Sequence, residues 1–206
     1  MNTLRFLFSL ALSGLLLTLF ACASAPDSRQ TTQTAATTAE PPREPPSLLG
    51  EVTREQIENA EPEWVRGEVE AEIDAEAARE LANVAPGAEV RVYLGTWCVD
   101  SRRELARLWR ALDETGGMVP FEIEYLAVDR AANRPPELEQ EVGLRYVPTL
   151  IVSRDGEEVG RIVELSPNGI ERDLLGLLTG ELSGTVSARE DLGGAGEPAE
   201  GGESNS

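Results

Sequence analysis

The 206-residue chain holds two cysteines, Cys22 and Cys98, and neither histidine nor lysine; its 18 basic residues are all arginine. Without histidine there is no Ser-His-Asp triad, no Cys-His pair and no histidine-based zinc site. Two cysteines alone cannot complete a structural zinc site either, so no metal or organic cofactor is expected. The remaining nucleophile is Cys98, within Trp97-Cys98-Val99-Asp100-Ser101-Arg102. A cysteine at a helix N-terminus meets unpaired backbone N–H groups and the positive end of the macrodipole, and both favour a thiolate. Ser101, one turn on, either donates a hydrogen bond to the sulfur or only caps the helix start. Arg102 and Arg103 add positive potential and Asp100 opposes it; all three also read as an ordinary solvated turn. The competing reading of Cys98 is an inert, half-buried thiol.

The elements around this run set its position. Val90-Arg91-Val92-Tyr93-Leu94 has the β-branched and aromatic content of a strand. After Cys98, the residues Leu105, Leu108, Trp109 and Leu112 form the i, i+3, i+4, i+7 stripe of a core-facing helix that stops at Gly116-Gly117. Upstream, Thr53-Arg54-Glu55-Gln56 has capping-box spacing and opens a short helix. Asp74 caps another from Ala75 to Val84. Trp64 is expected to pack this N-terminal extension. Downstream, Phe121 to Val128 alternates as a second strand, ending at Asp129, a loop cap. A loop with Pro135-Pro136 leads to a short helix around Leu138 and Val142. Pro148 to Val152 and Val159 to Val163 form a hairpin around Asp155-Gly156. Ser166-Pro167 then starts a final helix bearing Ile170, Leu174, Leu177 and Leu178. The order βαβα then ββα is an α/β class with helices on both faces of one sheet.

Strand, Trp-Cys-x-x-Ser and amphipathic helix together resemble the active-site region of the thioredoxin-like superfamily, in its Cys-x-x-Ser form. Tyr146-Val147-Pro148-Thr149-Leu150 is similar to the segment that carries that superfamily's cis-proline, and Arg154-Asp155-Gly156-Glu157 to its hairpin turn. The resemblance covers roughly residues 75–180. It implies a thioredoxin-like fold: a central mixed β-sheet of about four strands flanked by helices, here with an N-terminal helical extension. It also implies that a cis Pro148 presents the Val147 backbone beside the sulfur, where an extended peptide can pair with it, and that Trp97 borders the substrate. Some family features are missing. Ser101 replaces the second Cys, so an intramolecular disulfide cannot form and a mixed disulfide cannot be resolved from within. Val92 stands where the family has a buried Asp, Tyr125 where it has a Lys, and Ala106 where it has a helix-kinking Pro. An ordinary dithiol reductase is therefore not expected.

Residues 1–21 read as an export signal, with Arg5 followed by an apolar run from Phe6 to Ala21, shorter than the ~20 residues of a spanning helix. Leu19-Phe20-Ala21-Cys22 resembles a bacterial lipobox, although Phe20 departs from its usual small residue. The resemblance implies lipidation of Cys22 and a membrane anchor. Ala23, rather than Asp, points to the outer membrane, facing the periplasm. The alternative is ordinary cleavage at Ala21-Cys22-Ala23 or Ala23-Ser24-Ala25, giving a soluble periplasmic or secreted protein. Residues 22–47, poor in large apolar side chains, are expected to be a disordered tether, residues 48–184 the folded domain, and residues 185–206 a disordered acidic tail. A net charge of −19 argues against nucleic acid as a partner. Two functions stay open. One is a monothiol redox protein forming mixed disulfides with exported proteins or small thiols. The other is a non-catalytic thioredoxin-fold adaptor of the cell envelope. Oligomeric state is left open.

Overall fold

The computed structural model describes residues 47–130, 142–192 and 197–198. The export signal, Cys22, the tether up to residue 46, the Pro135-Pro136 loop and the expected helix around Leu138 lie outside the described residues, as do residues 199–206. No helix among the described residues is long and apolar enough to cross a membrane.

Strand β1 (Gly50–Val52) leads directly into α1 (Arg54–Ala60). The capping box forms as the sequence predicts: Gln56 N–H donates to Thr53 Oγ1 at 3.2 Å and Thr53 N–H to Gln56 Oε1 at 2.8 Å. The extension holds a second helix, α2 (Glu63–Glu70), with Pro62 at its N-cap. Trp64 of α2 is fully buried against Trp109, with ring centroids 5.2 Å apart, so it packs the extension as expected. Gly67 permits this close approach, since a Cβ there would lie 3.2 Å from the Ala106 Cβ. Asp74 caps α3 (Ala75–Glu80) by accepting from the N–H groups of Glu76 and Ala77; a single 3₁₀ turn, Leu81–Asn83, follows in place of a longer α-helix.

Next come β2 (Ala88–Leu94), α4 (Val99–Glu114) and β3 (Phe121–Ala127). The hairpin β4 (Thr149–Arg154) and β5 (Glu157–Val163) turns at Asp155-Gly156, where both residues have positive φ. The chain ends with α5 (Ile170–Thr179), β6 (Leu182–Val186) and β7 (Glu197–Pro198). The seven strands form one sheet in the order β1-β3-β2-β4-β5-β6-β7. Parallel β2 and β3 sit beside antiparallel β4 and β5, which is the thioredoxin-like arrangement that the resemblance implies. The sheet is wider than the four strands expected. Strands β1, β6 and β7 are short and lack the apolar alternation by which a strand is read from sequence.

Alternation along the strands gives the sheet two unlike faces. Val90, Val92, Leu94, Leu150, Val152 and Ile162 point to a core closed by Ile57, Trp64, Leu105, Leu108, Trp109, Leu174 and Leu177 of the helices. Every described helix of four or more residues that buries a large apolar side chain feeds this face. On the other face Tyr93 and Ile151 join Val128, Leu144 and Val147 in a smaller cluster that includes the partly buried Cys98 and Trp97.

Two further expectations are corrected. The last helix starts at Ile170 with Gly169 (φ 99°) at its N-cap, not at Ser166-Pro167. Asp173 accepts instead from the Asn168 backbone and side-chain amides, at 3.2 and 2.9 Å. The domain also runs past residue 184, where the sequence placed the start of a tail. Val186 and Ser187 are fully buried, since β6 pairs in parallel with β5 and closes the sheet over α5.

Candidate functional site

Cys98 is the N-cap residue of α4, in extended conformation (φ −89°, ψ 125°), and its side chain makes no capping bond. Its N–H donates to Gly95 O at 2.9 Å and its carbonyl accepts from Arg102 N–H at 3.1 Å. The side chain packs onto the smaller apolar cluster. There the thiol donates to the Val147 carbonyl oxygen, with Sγ 3.4 Å from it. The Val147-Pro148 peptide bond is cis. Cys98, Val147 and Pro148, separated by some fifty residues of sequence, therefore meet as the resemblance implies.

Trp97 folds back beside them. Its Nε1 donates to Val128 O at 3.1 Å, and Gly95 leaves room for the ring: a Cβ at 95 would lie 2.6 Å from it. Sequence reasoning missed both Gly95 and Arg130. The Arg130 guanidinium lies 5.1 Å from the Trp97 ring centroid and donates to the Trp97 carbonyl at 3.3 Å. A cation stacked on the ring next to Cys98 could have been suspected only once β3 was known to end beside Trp97. Asp129 accepts from Arg130 N–H at 2.6 Å, a loop-capping contact of the expected kind.

Ser101 has a different role from the one considered first. It is fully buried, and its Oγ accepts from the Gly95 N–H at 3.2 Å. Among the described residues no hydrogen bond runs from it to the sulfur. It ties the first turn of α4 to the strand–helix loop, so it supports the site from below. The charged residues of that turn are also engaged with one another. Arg103 pairs with Asp100 at 3.0 Å and with Glu104 at 3.3 Å, and Arg102 pairs with Glu63 of α2 at 2.5 Å. The solvated-turn reading fits Asp100 and Arg103, whereas Arg102 is partly buried and reaches across to α2. Val92 is buried and apolar, and Tyr125 is burdened by burial, which pushes its hydroxyl up to about 12. That hydroxyl accepts from Trp109 Nε1 at 2.9 Å. Neither position carries the carboxylate or amine that the family has there.

No family model matches the chain, and no curated protein matches it. Solved structures do. One is a protein of unknown function from Pseudomonas aeruginosa, 19% identical, covering 57% of this chain and 77% of that one at a TM-score of 0.40. A second is an HIV epitope scaffold, 18% identical over 64% of this chain and 85% of that one, with a TM-score of 0.44. A third is a mutant thioredoxin from Halobacterium salinarum, 22% identical over 48% of this chain and 80% of that one, with a TM-score of 0.33.

What the arrangement can do follows from its atoms. It offers one thiol, a backbone carbonyl within reach of it and an aromatic wall, with no second cysteine among the described residues. Such a site can form one disulfide with an incoming sulfur, and among the described residues there is no second thiol to break it again.

Proposed function

We propose that the protein carries out monothiol thiol–disulfide exchange through Cys98, on exported proteins or small thiols. The Cys98 thiolate attacks one sulfur of a substrate disulfide. A bond forms between Sγ and that sulfur, the substrate S–S bond breaks, and the second sulfur leaves as a thiolate that takes up the proton Cys98 gave to solvent. An outside thiol then attacks the mixed disulfide, becomes joined to the substrate sulfur and returns Cys98 to its reduced state. The observation that carries this reading is the 3.4 Å contact between Sγ and the Val147 carbonyl. Loss of the thiol proton frees that carbonyl to accept from a substrate N–H, so the sulfur and the peptide-pairing edge become available together. Trp97 would cover the apolar side of the substrate.

The chain is further proposed to be exported and held by lipid on Cys22, on the periplasmic side of the outer membrane. The support is the apolar run before Leu19-Phe20-Ala21-Cys22 and the Ala23 after it. A second reading, an adaptor that binds without chemistry, draws on the cleft of about 650 Å³ between α2 and α4, which opens beside Val99.

The first prediction decides between these readings. Trapping of dithiothreitol-reversible adducts in intact cells should succeed with the wild-type chain and fail with Cys98→Ala. If Cys98 resists alkylation up to about pH 9 and no adduct forms, the adaptor reading replaces the redox one. In the same cells Cys22→Ser should move the protein from the membrane fraction to the soluble one; unchanged fractionation would remove the lipid anchor.

A further inference from the structure

The carbonyl that meets Cys98 belongs to a loop tied down from the C-terminal side. Ser187 is fully buried; its Oγ donates to Val163 O at 2.7 Å and accepts from Arg189 N–H at 3.1 Å. Ala188 N–H donates to Leu165 O at 2.8 Å. From this anchored strap the Arg189 guanidinium lies over the Tyr146 ring, 3.9 Å from its centroid, and pairs with Glu164 at 2.6 Å and Asp191 at 2.8 Å. The Tyr146 hydroxyl donates to Asp191 Oδ2 at 3.0 Å. Glu164 has φ 62°, a left-handed conformation uncommon for its type, and its N–H donates to Pro148 O at 2.7 Å. The two neighbours of Val147 are thus both held: Tyr146 by Arg189 and Asp191, Pro148 by Glu164, which Arg189 also grips. A charged side chain stacked on an aromatic face and paired with two carboxylates is a poor lever for sequence-local stability. It is a good clamp between segments that are remote in the chain.

We propose that Arg189 is a positioning residue for the exchange reaction: through Tyr146 and Glu164 it holds the Val147 backbone at the distance from Cys98 that an extended substrate needs. The proposal rests on the exchange reading given above. Its test compares the wild-type chain with Arg189→Ala and Arg189→Lys in two measurements. Amide hydrogen exchange at Tyr146, Val147 and Thr149 should quicken about tenfold or more in Arg189→Ala, with β2 and α4 unchanged and the Lys variant between the two. Mixed-disulfide formation with an extended cystine-containing peptide should slow about tenfold in Arg189→Ala, while reaction with a small aromatic disulfide, which needs only the sulfur, stays unchanged. Unaltered protection at the loop overturns the proposal, and so does protection lost evenly across the domain, which would make Arg189 merely stabilising. Equal slowing with both disulfides overturns it as well. A wild-type chain that reacts with neither disulfide overturns the exchange reading instead, and amide protection alone then decides whether Arg189 holds the loop.

Discussion

The Ser101 hydroxyl and the Gly95 N–H face each other in a site closed to water, so removing the oxygen strands a buried donor. Ser101→Ala should cost about 1–3 kcal/mol of stability, read as a lower denaturant midpoint. The rate of Cys98 alkylation should stay the same, because no bond from Ser101 reaches the sulfur. A changed rate without a stability loss would restore the sulfur bond considered from sequence. Cys98 and Pro148 could be picked out in the sequence because each stands in a short motif with a known place in a strand–helix or strand–strand junction. The partner of Ser101 could not be picked out. It depends on how the loop between Gly95 and Cys98 folds back, and that is set by Trp97 packing onto β3.

The N-terminal extension is held to α4 by a cluster of charges. Arg54 pairs with Glu58 at 2.6 Å, Asp113 at 2.7 Å and Glu68, and its guanidinium lies 5.4 Å from the Trp109 ring centroid. Arg54 lowers the Asp113 carboxyl by direct hydrogen bonding. Glu68 behaves in the opposite way: burial outweighs Arg54 and pushes it from its ordinary 4.5 up to about 7. Between those two values the folded protein holds a proton that the unfolded chain has released. Stability should therefore fall as pH rises through that window and level off above it. Chemical denaturation from pH 5 to pH 8 should show this decline in the wild type and a flatter profile in Glu68→Gln. Identical profiles would show that Glu68 is not the group responsible. The capping box that starts α1 was readable because it lies within four consecutive residues. The second helix, α2, went unread because its apolar face amounts to Trp64 alone, and only Trp109 across the core shows what that face is for.

At the scale of the whole molecule, the C-terminal boundary has a measurable consequence. A chain ending at Gly184 loses the fully buried Val186, worth about 1.5–3 kcal/mol, together with the Ser187 bond to Val163. It should unfold at a clearly lower denaturant concentration than a chain ending at Pro198. Equal midpoints would return these residues to a dispensable tail. The truncation also bears on the site, since it removes the strap that reaches Tyr146, so the shorter chain should exchange with peptide disulfides more slowly as well.

By itself the sequence determined the order of the main helices and strands, the place of Cys98 at a helix start and a serine, not a second cysteine, at position 101. These rest on residue type and on spacings of a few positions, where hydrophobic periodicity, caps and turn residues act locally. Tertiary structure alone decided the partner of Ser101, the burial of Val186 and Ser187, and the clamp of Arg189 on the loop carrying Val147. Each of those is a contact between segments remote in the chain. Gly, Ser, Thr and Arg near a polar C-terminus carry the same local signal whether they are solvated or packed. Only the neighbours that the fold brings to them settle which it is.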